Sequence, residues 1–233
     1  MKVSLTIDVE QDCPPFFDTY RGIEEGLPRL LALLEEEKVP ATFFTTGDVA
    51  SRFPGAVAKI VEGGHELGCH GLTHRRFDQM DEASARHEIE ESTSILRKFY
   101  PVISFRAPNL QFPENYLNLL EKEGYRLDSS QGKHKISYPF QKKYSGSLKR
   151  IPASTTSSVL RLPAWIKNRF FHRLKNPIVL FVHPWEFVDL TKERLRLDCR
   201  FKTGQPALDC LKETLDFFRA KKGEFCRMED LLA

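Results

Sequence analysis

No apolar run in this 233-residue sequence approaches the ~20 residues a helix needs to cross a bilayer. Residues 1–8 carry one lysine and a very short apolar run that soon meets an acid, which is not the pattern of a signal peptide. Charge of one sign is also scarce. With 35 basic and 32 acidic residues the net charge is +3, which argues against a dedicated nucleic-acid binder, whose basic residues would dominate. Cysteine is sparse and its spacing irregular. The five, at 13, 69, 199, 210 and 226, are odd in number and include no C-x-x-C. They read as free thiols in a reducing compartment, so the expected location is cytoplasmic. Internal repeats and low-complexity linkers are missing too. A chain of this length can bury a large core, and one domain over 1–233 is the expectation.

What the sequence does contain is a regular alternation of short apolar runs and amphipathic stretches. Residues 3–7, 40–46, 66–69, 103–105, 125–127 and 178–182 read as strands, with 149–152 and 225–227 as further short ones. Helical spacing marks 27–38, with Pro28 in its first turn, then 54–62, 114–123 and 205–221. Asp81 is placed to cap a helix running to about residue 100, with Ile89, Thr93, Leu96 and Tyr100 inward and its acids mostly toward solvent. Gly47 reads as a turn. The order β-α-β-α-β in the first third is the signature of parallel strands joined by crossover helices. The basic stretch 131–158 has no firm topology, although it is placed to shape a substrate cleft.

Polar groups follow five of these apolar runs. Asp8 and Glu10 end the first, with Asp12 just beyond, and strand alternation points the first two the same way. His70 and His74 follow the third; four apart, they share one face if that turn is helical, close enough for one cation, and Gly68 and Gly71 let the backbone bend there. Arg106 follows the next run, Asp128 the one after, and His183 the continuous apolar run 178–182. Each has a plainer reading: surface histidines, a capped turn, a solvated arginine, a core histidine. Together they describe a chemistry. A carboxylate and two histidines make a facial triad on a divalent transition metal, Zn²⁺ first, with iron, cobalt or nickel as substitutes. A second carboxylate serves as base, and a histidine across the site protonates the leaving group. That is hydrolysis of an amide or ester.

The ordered motifs also resemble the polysaccharide deacetylases of the NodB-homology type, carbohydrate esterase family four. Thr6-Ile7-Asp8-Val9-Glu10 is similar to the first motif, His70-Gly71-Leu72-Thr73-His74 to the second, Arg106-Ala107-Pro108 to the third and Val182-His183-Pro184-Trp185-Glu186 to the fifth; Asp128 stands where the fourth falls. The resemblance implies an α/β fold, an irregular (β/α)7-type barrel in one domain. It implies Asp8 as base and His183 as acid, with Arg106 and Asp128 holding them. Glu10, His70 and His74 would be the metal ligands, and Pro108, Asn109 and Trp185 would line the substrate groove. Valine separates the two carboxylates where the common motif has adjacent aspartates, so Asp12 stays in reserve as metal carboxylate. Asn109 stands where an aromatic is usual. Thr19-Tyr20-Arg21-Gly22 and Gly26-Leu27-Pro28-Arg29-Leu30-Leu31 resemble the branch containing lipid-linked aminoarabinose deformylase, which implies a lipid-linked sugar at the cytoplasmic membrane face.

The expected function is therefore removal of an N-acetyl or N-formyl group from an amino sugar of a glycan or lipid-linked precursor. One rival is a metal-independent hydrolase of cyclic amides or ureides on a related fold. Another is a non-catalytic carbohydrate-binding protein. Residues 163–175 form a candidate membrane-surface segment: Trp165, Ile166, Phe170 and Leu174 make an apolar strip, and Lys167, Arg169, Arg173 and Lys175 lie mostly elsewhere. The plainer reading is a packed helix with a basic solvated face. His65, His87, His134 and His172 receive no role, and the sequence leaves the oligomeric state open.

Overall fold

Alternation in the first strand decides how this molecule is layered. In the computed structural model, which describes residues 1–135, 138 and 144–233, β1 spans Lys2–Val9. Its odd residues Val3, Leu5, Ile7 and Val9 pack in one apolar cluster with Leu27, Leu30 and Leu34 and with Leu208, Leu211 and Leu215. Its even residues Ser4, Thr6 and Asp8 point the other way and are also buried. One face of the sheet is thus a conventional core, and along β1 the other is polar.

The remaining strands are β2 (Ala41–Thr45), β3 (Glu66–Cys69), β4 (Ser104–Phe105), β5 (Leu127–Asp128), β6 (Lys149–Arg150), β7 (Ile178–Val182) and β8 (Glu224–Phe225). They run in the spatial order β6-β5-β4-β3-β2-β1-β7, all parallel. β8 pairs with Lys2 and Val3 of β1, ahead of β2, whose register begins at Leu5 with Ala41. The sheet is closed between β6 and β7 without a ladder. Ser154 N–H donates to Val179 O at 2.8 Å, and Val179 N–H donates to Ser154 Oγ at 3.0 Å. The result is an irregular parallel α/β barrel, as the family resemblance implies. Residues 136, 137 and 139–143 of the stretch without firm topology lie outside the described residues.

Helices α1 (Leu27–Glu36), α2 (Gly47–Arg52), α3 (Pro54–Glu62), α4 (Glu82–Leu96), α5 (Leu117–Lys122), α6 (Ser157–Leu160), α7 (Ala164–Phe171), α8 (Leu197–Arg200) and α9 (Gln205–Ala220) fill the connections. Asp81 caps α4 by accepting from Ser84 N–H at 2.8 Å. Gly47 does not make a turn; it opens α2, capped by the Thr46 hydroxyl. The glycine is needed for a different reason: a Cβ there would lie 2.7 Å from Leu72 Cδ1.

One expectation fails in the packing. The apolar strip of 163–175 is split: Ile166 is half-buried and Leu174 packs on the main core, but the two aromatics turn outward. Trp165 is 77 % exposed and Phe170 is exposed, whereas Lys167 is fully buried. Lys167 Nζ donates to Cys210 O at 2.9 Å and meets Glu213 at 2.8 Å, so the charge is satisfied inside while the indole faces solvent. The acids of α4 are mostly solvated, as expected: Glu82, Glu90 and Glu91 are exposed, and Glu88 is buried. Inside the barrel, Phe44, Leu127, Ile151 and Val179 pack with Cys226, Met228 and Leu231, so the C-terminal segment forms a plug. Glu66 ties this plug to the sheet. It accepts from Thr42 Oγ1 at 2.6 Å, from Glu229 N–H at 2.9 Å and from the Ser104 hydroxyl.

Candidate active site

The C-terminal ends of β1, β3, β4 and β7 deliver the site residues, as parallel α/β architecture requires. Glu10 Oε2 lies 2.6 Å from His74 Nε2 and 3.1 Å from His70 Nε2. One ligand atom from each of the three falls within 4.8 Å of the others. The turn that brings the two histidines together is not helical. Gly71 has φ +80° and His74 φ +58°, so the loop doubles back and needs a glycine at its first left-handed position. It is held from outside by Glu88 of α4, which accepts from Leu72 N–H at 2.9 Å, Thr73 N–H at 3.0 Å and the Thr73 hydroxyl at 2.5 Å.

Arg106 is fully buried. Its Nη1 donates to Asp8 Oδ1 and Thr6 Oγ1, both at 2.7 Å, and its Nη2 donates to Ser129 Oγ at 2.9 Å. The guanidinium lies over the Phe44 ring at 4.3 Å. Its backbone carbonyl is 2.7 Å from His70 Nδ1. A proton on Nδ1 satisfies that carbonyl and leaves the Nε2 lone pair free, directed toward Glu10.

His183 sits 3.9 Å from Glu10 Oε1 through its Nε2. Its Nδ1 is 2.8 Å from Glu186 Oε1, and its backbone N–H donates to the same oxygen at 3.0 Å. Glu186 is buried, and its other oxygen faces Arg161 Nε at 3.0 Å. Burial opposes charge on His183, but Glu186, then Glu10 and Asp8, outweigh it and raise the imidazole to about 9. Glu10 is held well below the usual carboxylate range. Its burial acts the other way, and the His74, His70 and His183 rings overcome it. Trp185 stacks on His183 with centroids 4.8 Å apart and planes 19° apart.

These groups open on a cavity of about 220 Å³ whose wall includes Asp8, Glu10, His74, Asn109, His183 and Trp185. Three sequence assignments are corrected. Asp128 does not reach His183, since its carboxylate accepts from Arg150 Nε at 2.8 Å and Ser130 N–H at 2.9 Å. Glu186 takes that task. Asp12 is no spare ligand, because its oxygens accept from the Thr19 hydroxyl and from the N–H groups of Arg21 and Gly22, each at 2.8 Å. Pro108 is buried and absent from the cavity wall, while its neighbour Asn109, at φ +58°, lines it. His134 and Lys135, given no role from sequence, also line the cavity, and the Lys135 ammonium donates to the carbonyls of Asn109 and Leu110. A carboxylate three residues after His183 was the available signal for Glu186. Glu88, 14 positions beyond His74 in sequence, gave none.

A fit for a divalent transition metal can be judged from the donors. One carboxylate oxygen and two imidazole Nε2 atoms converge on a common point, one ring oriented by a backbone carbonyl. This is an open three-ligand set of the kind catalytic zinc uses.

The family model for polysaccharide deacetylase matches residues 2–127. A peptidoglycan deacetylase of Helicobacter pylori is 30% identical over 118 residues, 48% of this chain and 40% of that protein. The match therefore spans two fifths of that curated relative's length. In three dimensions the chain is similar to a family 4 carbohydrate esterase from Streptomyces lividans, with TM-score 0.65, 16% identity, and coverage of 95% of this chain and 90% of that one. It is also similar to a family 4 pseudoenzyme from Bacillus anthracis, with TM-score 0.66, 17% identity, and coverage of 100% and 65%.

Proposed function

Because the chain belongs to the polysaccharide deacetylase family, we propose that it is a metal-dependent amidohydrolase acting on an N-acetyl or N-formyl amino sugar of a glycan or lipid-linked precursor. One observation carries this reading. The Glu10, His70 and His74 cluster shares a cavity with an arginine-held carboxylate on one side and a carboxylate-held histidine on the other. Zn²⁺, or iron, cobalt or nickel in its place, would be held by those three residues and would supply a Lewis acid for the amide carbonyl and the attacking water.

The chain's own groups divide the proton work. Asp8, fixed by Arg106 at 2.7 Å, accepts the proton of the attacking water. His183 donates to the departing amine through Nε2, because Nδ1 is committed to Glu186. The Trp185 ring fixes the imidazole plane. Leu110 and Phe181 form an apolar wall for the sugar, and Asn109 and His134 bring polar groups to it.

The test is metal analysis of purified protein alongside acetate and formate release from N-acetyl and N-formyl amino sugars. About one transition metal per chain, with turnover lost on chelation and restored on reloading, is the expected result. Full turnover in chelated protein would favour the metal-independent rival. Tight sugar binding without turnover would favour the binding-protein rival.

A lipid-linked substrate has a specific observation in its favour. Trp165 and Phe170 are exposed on α7, with Arg169, Arg173 and Lys175 exposed around them. Aromatic and basic groups on one surface fit an anionic lipid interface. Flotation with anionic vesicles that is lost in Trp165→Ala supports this; no flotation of the wild type overturns it.

A further inference from the structure

Two of the five cysteines stand apart. Cys69, Cys210 and Cys226 are buried singly in packed regions, whereas Cys13 and Cys199 both line the cavity that holds Asp8, Glu10 and His183. They come from distant segments, Cys13 from the turn after β1 and Cys199 from α8. Both belong to a small apolar cluster with Trp185, Val188 and Leu190. Cys13 is buried there and Cys199 is half-buried, so both sulfurs reach the same stretch of cavity wall. Cys13 sits at φ +43°, a conformation that costs a non-glycine residue energy. No part of the hydrolytic chemistry above uses either sulfur.

We propose that Cys13 and Cys199 form a redox-modifiable dithiol that closes to a disulfide across the wall of the active-site cavity. The two thiols are chemically unequal. Cys199 is half-buried and therefore the accessible thiol of the two, and its neighbour Cys13, with Arg196 and Arg161, lowers it to about 7 against burial. Cys13 is buried, and its neighbour Cys199 and that burial push its thiol up. An accessible, partly ionised thiol beside a protonated resolving thiol is the arrangement that thiol–disulfide exchange needs.

The oxidant class is a small-molecule disulfide such as glutathione disulfide. The Cys199 thiolate attacks one sulfur of it, forming a mixed disulfide and expelling one glutathione thiolate. The proton on Cys13 passes to a released thiolate through solvent. Cys13 sulfur then attacks Cys199 sulfur and expels the second glutathione. Two protein thiols are oxidised and one glutathione disulfide is reduced to two glutathiones. The new bond joins α8 to the turn after β1. Arg161 already ties α8 to Glu186, through donation to the carbonyls of Asp198 and Phe201 at 2.7 and 2.6 Å. Closure therefore bears on the carboxylate that positions His183 and narrows the space beside it. This effect on turnover rests on the hydrolase reading; the exchange chemistry does not.

The experiment equilibrates the metal-loaded protein in graded oxidised and reduced glutathione, then combines peptide mapping with N-acyl sugar hydrolysis. Cys13→Ser and Cys199→Ser run in parallel. The expected wild-type product is a peptide cross-linked between 13 and 199, reversed by a phosphine reductant, with turnover down at least tenfold in the oxidised form. Cys13→Ser should stop at a glutathione adduct on Cys199, and Cys199→Ser should leave Cys13 unmodified. No cross-link, or independent adducts on both residues of the wild type, would overturn the dithiol. A cross-link with unchanged turnover would overturn the coupling. A cross-link in a protein that hydrolyses nothing in either redox state would overturn the hydrolase reading and leave the dithiol standing.

Discussion

Arg106 serves two members of the site through different atoms. Its guanidinium fixes Asp8, and its main-chain carbonyl fixes the tautomer of His70. Side-chain substitution separates the two tasks. Arg106→Lys should lose most of the turnover and retain most of the bound metal, because the carbonyl stays in place; kinetics and elemental analysis on one sample test it. Asp8→Asn should likewise spare metal content and lower turnover by about 10²–10⁴-fold, the usual contribution of a general base. Unchanged turnover would remove Asp8 from that role. These residues were legible in sequence because each follows directly on a short apolar strand: Asp8 and Glu10, His70 and His74, Arg106 and His183. Asp128 misled for the same reason. It too follows a strand, but Arg150 of the neighbouring strand captures it. Glu186 was missed because a turn, not a strand end, aims it.

At the scale of elements, the loop carrying the histidines depends on a helix that contributes no ligand. Glu88 of α4 satisfies two loop N–H groups and one hydroxyl. Glu88→Ala leaves those donors unpaired beside His74, so metal affinity should fall about 10–100-fold, as measured by chelator competition. Wild-type affinity in that variant would show that the loop holds itself. Helix α7 gives a contrast in stability. Trp165→Ala should change unfolding free energy by no more than about 0.5 kcal/mol, since the ring is exposed, while Phe171→Ala should cost about 3–5 kcal/mol. Urea unfolding of both variants checks this orientation. Periodicity alone misassigned this helix because it counts Lys167 as polar. Burial of that ammonium depends on Glu213 and the Cys210 carbonyl, which lie on α9. Helices α1, α4 and α9 were recovered to within a few residues from their apolar spacing.

For the whole molecule, Glu66 links the sheet, the C-terminal plug and pH. Burial raises its carboxyl to about 7, against the hydrogen bonds from Ser104, Thr42 and the Glu229 N–H. The folded chain therefore holds this proton more tightly than the unfolded chain, where the carboxyl titrates near 4.5. The stability it contributes is fully present below that value and is lost as pH rises through about 7, a change of order 3 kcal/mol. Glu66→Gln cannot ionise. The wild type should lose stability relative to this variant between about pH 5 and pH 8, read from paired denaturant titrations. A constant difference across that range would show that Glu66 does not carry the pH dependence. The parallel order of the sheet could be anticipated from the β-α-β pattern. The plug could not, because its residues meet strands far back in the chain, as Met228 does with Thr42, 186 positions away, at 2.8 Å.

The pairing of β1 has a consequence for how the protein is made. This strand lies inside the sheet, yet its neighbours are residues 41–45, 178–182 and 224–225. Of the strands in this sheet, the first to be synthesised is the last to be completed. Through most of synthesis one edge of it stays bare, and the inward carboxylate Asp8 waits for an arginine almost a hundred residues behind it. Contacts of such long sequence separation slow folding, and the open edge is most vulnerable to aggregation during elongation. Yield in cells should therefore respond more to translation speed and chaperone supply than the stability of the finished protein would suggest.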